Sequence, residues 1–153
     1  EMITGVDLVK QQIEIAAGAK LPFTQKDITF NGHAIECRIT AENPENDFRP
    51  STGTITRLLW PGGPGVRVES HVYQGYRVPP YYDPLLGKLI VWGRDRQEAM
   101  ARMLRCLSEM KIEGLKTNTP LHTRILLDPA YRKGDFNTTF VTRKLASAGR
   151  EAA

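Results

Sequence analysis

The sequence predicts an α+β domain. The apolar period is 3.6 residues near the start, drops to two from His33, and returns to 3.6 from Asp95 onward. Gly- and Pro-rich punctuation keeps the period-two segments short. The expected core is therefore a small, barrel-like antiparallel sheet flanked by an N-terminal helix and C-terminal helices.

The chain opens on Glu1 rather than Met, and a helix signal follows almost at once, which we read as a start inside a longer protein. Thr4, with Asp7 three residues later, has the form of a capping box for a helix over 5–17. Val6, Val9, Ile13 and Ala16 form its stripe and Gly18 its stop. One amphipathic helix needs a partner surface, so part of this stripe is expected to face a domain upstream. Residues 19–32 connect it to the sheet and end in Asn31-Gly32, a pair that favours a hairpin.

From His33 to Thr40, Ile35, Cys37 and Ile39 alternate with Glu36, Arg38 and Thr40, predicting a strand with one core face. Further strands are expected at 54–60, 66–70 and 85–92. Asp95 caps the next helix with Glu98 at its third position, and Ala99, Met100, Met103, Leu104, Leu107 and Met110 supply the buried stripe. A shorter helix is expected over 117–127, with Pro120 tolerated in its first turn. Asn137 should cap a last helix over 138–146, ahead of a disordered tail over 147–153.

Composition excludes more than it assigns. A net charge of +4 is spread too thinly, and without interleaved aromatics, to make a nucleic-acid platform. No apolar run is long enough to span a bilayer, and the two cysteines, Cys37 and Cys106, read as buried thiols of a reducing, cytoplasmic compartment. The three histidines share no ligand spacing, so no metal site is expected. Pro61-Gly62-Gly63-Pro64-Gly65 is read as an inter-strand turn, because Pro64 removes an amide and a strand follows where a phosphate loop needs a helix. Two features stay open. Arg38, on the face away from Ile35 and Cys37, is either a surface arginine paired with a cross-strand acid or a guanidinium mounted for an oxyanion. Val78-Pro79-Pro80-Tyr81-Tyr82-Asp83-Pro84 is either a structural loop or the stiff wall of a site holding Asp83.

Four segments in order, HAIECRITAENP (33–44), RPSTGTITRLLWPGGPGVRVES (49–70), VPPYYDPLLGKLIVWG (78–93) and EGLKTNTPL (113–121), resemble the C-terminal domain of biotin carboxylases. That family is the ATP-dependent component of acetyl-CoA, propionyl-CoA and pyruvate carboxylases, the first of these serving fatty acid biosynthesis. The opening EMITGVDLVKQQI resembles the end of the family's ATP-grasp domain. The resemblance implies a division into 1–20 as a terminal ATP-grasp helix, 28–146 as the biotin carboxylase C-terminal domain, and the tail.

It also implies a ligase half-reaction in which ATP and bicarbonate give carboxyphosphate and biotin on a carrier protein is then carboxylated. Arg38 matches the arginine that stabilises negative charge in the family's active site. Glu36 and Asp83 become pocket candidates, and Thr138 and Thr139 match the segment lining the adenine end of the nucleotide pocket, where some bacterial relatives carry an apolar residue and a histidine. Arg67 matches an interface arginine, although Pro64 replaces the aromatic that accompanies it in homodimeric members. Implied cofactors of the parent are ATP, Mg2+ and biotin, none held wholly by this chain. Implied partners are a biotin carboxyl carrier protein or domain, a carboxyltransferase, the ATP-grasp domain and a second copy. The rival expectation is an assembly domain without essential catalytic residues.

Overall fold

The computed structural model describes residues 1–143. The tail expected over 147–153, and the end of the helix expected over 138–146, lie outside the described residues. Within them the architecture is α+β: α1 (Leu8–Ala16), nine short strands, and then three helices interrupted by the last strand. The main sheet has three antiparallel strands in the order β1 (His33–Thr40), β8 (Leu85–Gly93), β6 (Val66–Ser70). Two-residue strands make further ladders, β2 (Glu42–Asn43) with β3 (Arg49–Pro50) and β4 (Gly53–Thr54) with β7 (Arg77–Val78). β5 (Arg57–Leu59) pairs with β9 (Lys111–Glu113). Among the described residues no barrel closes.

β8 is central because it is apolar along most of its length. Leu89 and Val91 face α2 (Arg96–Glu109), whose Ala99, Met100, Met103, Cys106 and Leu107 bury against them together with Cys37 and Ile39 of β1. Asp95 caps α2 as expected, its carboxylate accepting from the Glu98 amide at 2.8 Å. Glu98 in turn reaches the Arg94 amide at 2.8 Å, one residue earlier than a capping box would have it. A second core of Ala41, Ile55, Val72, Val78 and Leu86 fills the region of β4 and β7. The Pro61–Gly65 stretch is the expected turn, entering β6 with Gly63 and Gly65 at positive φ.

Four expectations need correction. The first helix starts at Leu8 with Asp7 as its cap, accepting from the Lys10 amide at 2.9 Å. Thr4 cannot cap it, because Gly5 takes φ +70° and closes a turn back onto the Glu1 carbonyl. Asn31-Gly32 is no hairpin turn, since no strand precedes it. Gly32 instead lets the chain pass so close to β8 that a Cβ there would strike the Trp92 ring and the Gly93 carbonyl. The strand expected over 54–60 breaks at Ile55 and Thr56, where the backbone changes partner. Ile55 N–H donates to Tyr76 and Thr56 N–H to Glu113.

The third helix begins later than expected, as α3 (Thr119–Leu127) after Asn118. An unforeseen α4 (Pro129–Lys133) follows, capped by Asp128 and stopped by Gly134 at φ +81°. A helical turn at 140–143 agrees with the described part of the last expected helix.

Candidate functional site

Register carries the alternation of β1 across the whole sheet. Arg38 stands opposite Lys88 and Lys88 opposite Glu69, while Glu36 stands opposite Ile90 and Ile90 opposite Arg67. Residues directly opposite one another share a face. The sheet therefore presents an apolar face to α2 and a charged one on the other side.

The charged face has two parts. Arg67 pairs with Glu69 at 2.8 Å and with Glu1 at 3.0 Å, and Lys88 lies 3.6 Å from Glu69. These groups, with Glu36, Ile90 and the chain's first residues, wall a cavity of about 570 Å³. Beyond that network stands Arg38, whose Nη2 is 3.9 Å from Asp83 Oδ2. The Asp83 carboxylate also accepts from the Leu85 amide at 2.8 Å, so it is tied to the start of β8. Both partners of the pair are more than half exposed, at 54% and 68% of their side chains. Such a pair adds only about 0–1 kcal/mol to stability. What it does provide is proximity: the Asp83 carboxylate lies beside one edge of the guanidinium, beyond hydrogen-bond distance, and the arginine side chain stays half exposed.

Two residues separated in the sequence, Arg38 and Asp83, are thus brought together, and Glu36 shares their face two residues along β1. Arg67 is on the same face but committed to Glu1 and Glu69 within the chain. Thr138 and Thr139 are exposed, and Thr139 binds Asn137 Oδ1 through its amide at 3.1 Å and its hydroxyl at 2.9 Å. Among the described residues neither threonine bonds to Arg38 or Asp83.

Sequence reasoning passed over Lys88 and Asn118. Lys88 carried a usable signal, being the one charge inside an otherwise apolar strand. Asn118 fell inside the first turn of the helix expected over 117–127, yet it precedes α3 and is buried against β1. Cys37 is closed to chemistry, because burial pushes its thiol up to about 12. Among the described residues no group of three or more His, Cys, Asp or Glu could hold a metal ion.

Known proteins are similar to this chain in sequence and fold. A model of the family described as biotin carboxylase C-terminal domain matches residues 36–143. One of the pyruvate carboxylase subunits of Methanothermobacter thermautotrophicus is 59% identical over 92% of this chain and 29% of its own. A biotin carboxylase of a Nostoc species is 55% identical over 92% of this chain and 32% of its own. A solved biotin carboxylase domain of 2-oxoglutarate carboxylase from Hydrogenobacter thermophilus, a dimer in complex with MgADP and bicarbonate, superposes with a TM-score of 0.91. It is 50% identical, over 94% of this chain and 32% of that one. The chain spans about a third of the length of the relatives it matches. With residues 36–143 matched by its model, the chain belongs to the biotin carboxylase C-terminal domain family.

Proposed function

We propose that this chain works as the C-terminal third of a biotin carboxylase, with Arg38 as the active-site cation for the carboxylation of biotin. The single observation that carries the reading is the Arg38–Asp83 pair. A strand with its far side locked in the core presents a half-exposed guanidinium with a carboxylate beside it. In the reaction proposed, bicarbonate oxygen takes the γ-phosphoryl group of ATP, giving ADP and carboxyphosphate. Carboxyphosphate then releases carbon dioxide and phosphate. The ureido nitrogen of biotin gives its proton to the released phosphate and forms a bond to the carbon of the carbon dioxide.

Negative charge develops on the ureido group as that proton leaves. A guanidinium keeps its charge at any working pH, and a donor already in place stabilises the oxyanion without reorganising. Asp83 orients it, and Glu36 and Lys88 set the local charge. Thr138 and Thr139 are assigned to the nucleotide end of the pocket and Arg67 to a contact with a second copy. Residues 1–20 are assigned to the end of an ATP-grasp domain and 28–146 to the domain proper. Magnesium, which phosphoryl transfer requires, would be held outside this chain. A biotinylated carrier and a carboxyltransferase are the proposed partners and the cytoplasm the proposed location. No described helix is long and apolar enough to cross a membrane.

A full-length protein ending in this chain should convert labelled bicarbonate and free biotin to carboxybiotin with ATP cleavage. The separated chain should cleave no ATP. A full-length protein that forms no carboxybiotin would overturn the proposal.

A further inference from the structure

β1 is an edge of its sheet, so the backbone groups on its outer side need partners other than β8. Over Arg38–Thr40 those partners come from the start of α3. The Arg38 carbonyl oxygen accepts from Asn118 Nδ2 at 2.9 Å and lies 3.0 Å from His122 Nε2. The Thr40 amide donates to Asn118 Oδ1 at 3.0 Å, and the Thr40 carbonyl accepts from the Asn118 amide at 3.2 Å. Asn118 therefore does the work of a neighbouring strand, and His122, one helical turn along, doubles its hold on Arg38.

Two further facts make this more than a tie between a helix and a sheet. Asn118 occupies the cap position of α3, yet its side chain accepts from no amide of that helix. A cap is worth about 1 kcal/mol, and the Asn118 amide group is committed to β1 instead. The contact also falls where the β1–β8 register shifts, between Ile39 and Thr40, so the ladder alone defines the strand least at this point. A carbonyl can only accept, which fixes the proton of His122 on Nε2, and burial favours the neutral ring.

We infer that Asn118 and His122 are positioning residues for Arg38, fixing the backbone from which its guanidinium projects. The inference rests on the reading of Arg38 as the active-site cation. A small rotation of the strand at residue 38 is amplified along the arginine stem, so loosening the clamp moves the charge at the reacting group.

The test uses a full-length biotin carboxylase carrying this chain, with His122→Phe, His122→Gln and Asn118→Asp, each alone and with Arg38→Gln. His122→Phe removes the donor and should lower kcat for biotin carboxylation about 10-fold. The KM for ATP should stay within about twofold, since a misplaced Arg38 affects the later step. His122→Gln, which can still donate to the carbonyl, should recover most of the rate. In the Arg38→Gln background, His122→Phe should cost nothing further, because its effect passes through the missing guanidinium.

Wild-type turnover in His122→Phe, no rescue by Gln, or an equal loss in both backgrounds would each overturn the clamp while leaving Arg38 in place. Intact turnover in Arg38→Gln would instead overturn the reading beneath it, and the clamp with it. Asn118→Asp keeps the acceptor for Thr40 but sets a carboxylate against the Arg38 carbonyl. It should lower kcat at least as far as His122→Phe, and a smaller loss counts against the clamp. Should that variant fail to fold, the His122 pair, on a less buried residue, decides alone.

Discussion

Shortening Leu89 to alanine should destabilise the domain by about 3–4 kcal/mol, because the site it supports cannot collapse. Leu89 is 0% exposed at the middle of the central strand. Cys37 and Val68 stand on either side of it in register, and Met103, Cys106 and Leu107 of α2 belong to the same core. Loss of the apolar side-chain atoms costs about 2–2.5 kcal/mol by transfer alone. Two hydrogen-bonded strands flank the gap, so a residual cavity adds to that cost, within the range of about 2.7–5 kcal/mol seen for such replacements. For a chain of this size the melting point should fall by roughly 6–15 °C. Ile13→Ala is the internal comparison. Ile13 on α1 is 65% exposed, no α1 residue is buried, and the change should cost less than about 0.5 kcal/mol. Thermal and urea unfolding of the chain measure both. A Leu89→Ala loss below about 1 kcal/mol, or an Ile13→Ala loss of equal size, would refute the assignment of β8 as centre and α1 as an undocked helix.

Burial, opposed by the bond to the Arg38 carbonyl, lowers the pKa of His122 below its ordinary value of 6.5. The unfolded chain then takes the proton first, so the stability of the neutral ring is complete above about pH 6.5 and is lost as pH falls through the lower folded value. The urea midpoint should drop more between about pH 7.5 and pH 5.5 in the wild type than in His122→Gln; equal drops would count against this. Both thiols are buried and pushed up, Cys37 to about 12, chiefly by burial. A disulfide reagent at about pH 8 should therefore label neither until urea unfolds the chain, and prompt native labelling of Cys37 would contradict its placement in the core.

How far the sequence led depended on how much pattern each element could hold. β1, β6 and β8 were legible because five to nine residues are enough to show their apolar character. α2 was legible from Asp95, Glu98 and a full stripe. The two-residue strands β2, β3, β4 and β7 carry no period, and they exist because distant segments supply their partners. The break at Ile55 has the same origin, since one segment serves two ladders.

For the site, alternation told which way Arg38 and Glu36 point. That Arg38 meets Asp83 depends on the register of β1 against β8, which no local pattern contains. Asn118 was the least legible. It fell inside the first turn of the helix expected over 117–127, and its bonds to β1 join residues 78 and 80 positions apart. α1 is the converse case. Its stripe was plain, but Val9 and Ile13 of that stripe, like Leu8 and Ile15 outside it, remain exposed within this chain, beside an apolar cleft of about 410 Å³.

The most direct measurement is the steady-state rate of biotin carboxylation by a full-length enzyme in which Arg38 is replaced by glutamine. Glutamine keeps a hydrogen-bond donor and most of the stem, so the comparison isolates the charge. Loss of one preorganised donor to a developing oxyanion lowers the rate by about 10²–10³. The expected result is a fall of that size in kcat, with the KM for ATP nearly unchanged. Unchanged turnover, or a defect confined to the KM for ATP, would make Arg38 a surface residue paired with Asp83 and remove the active-site role assigned to this face of the sheet.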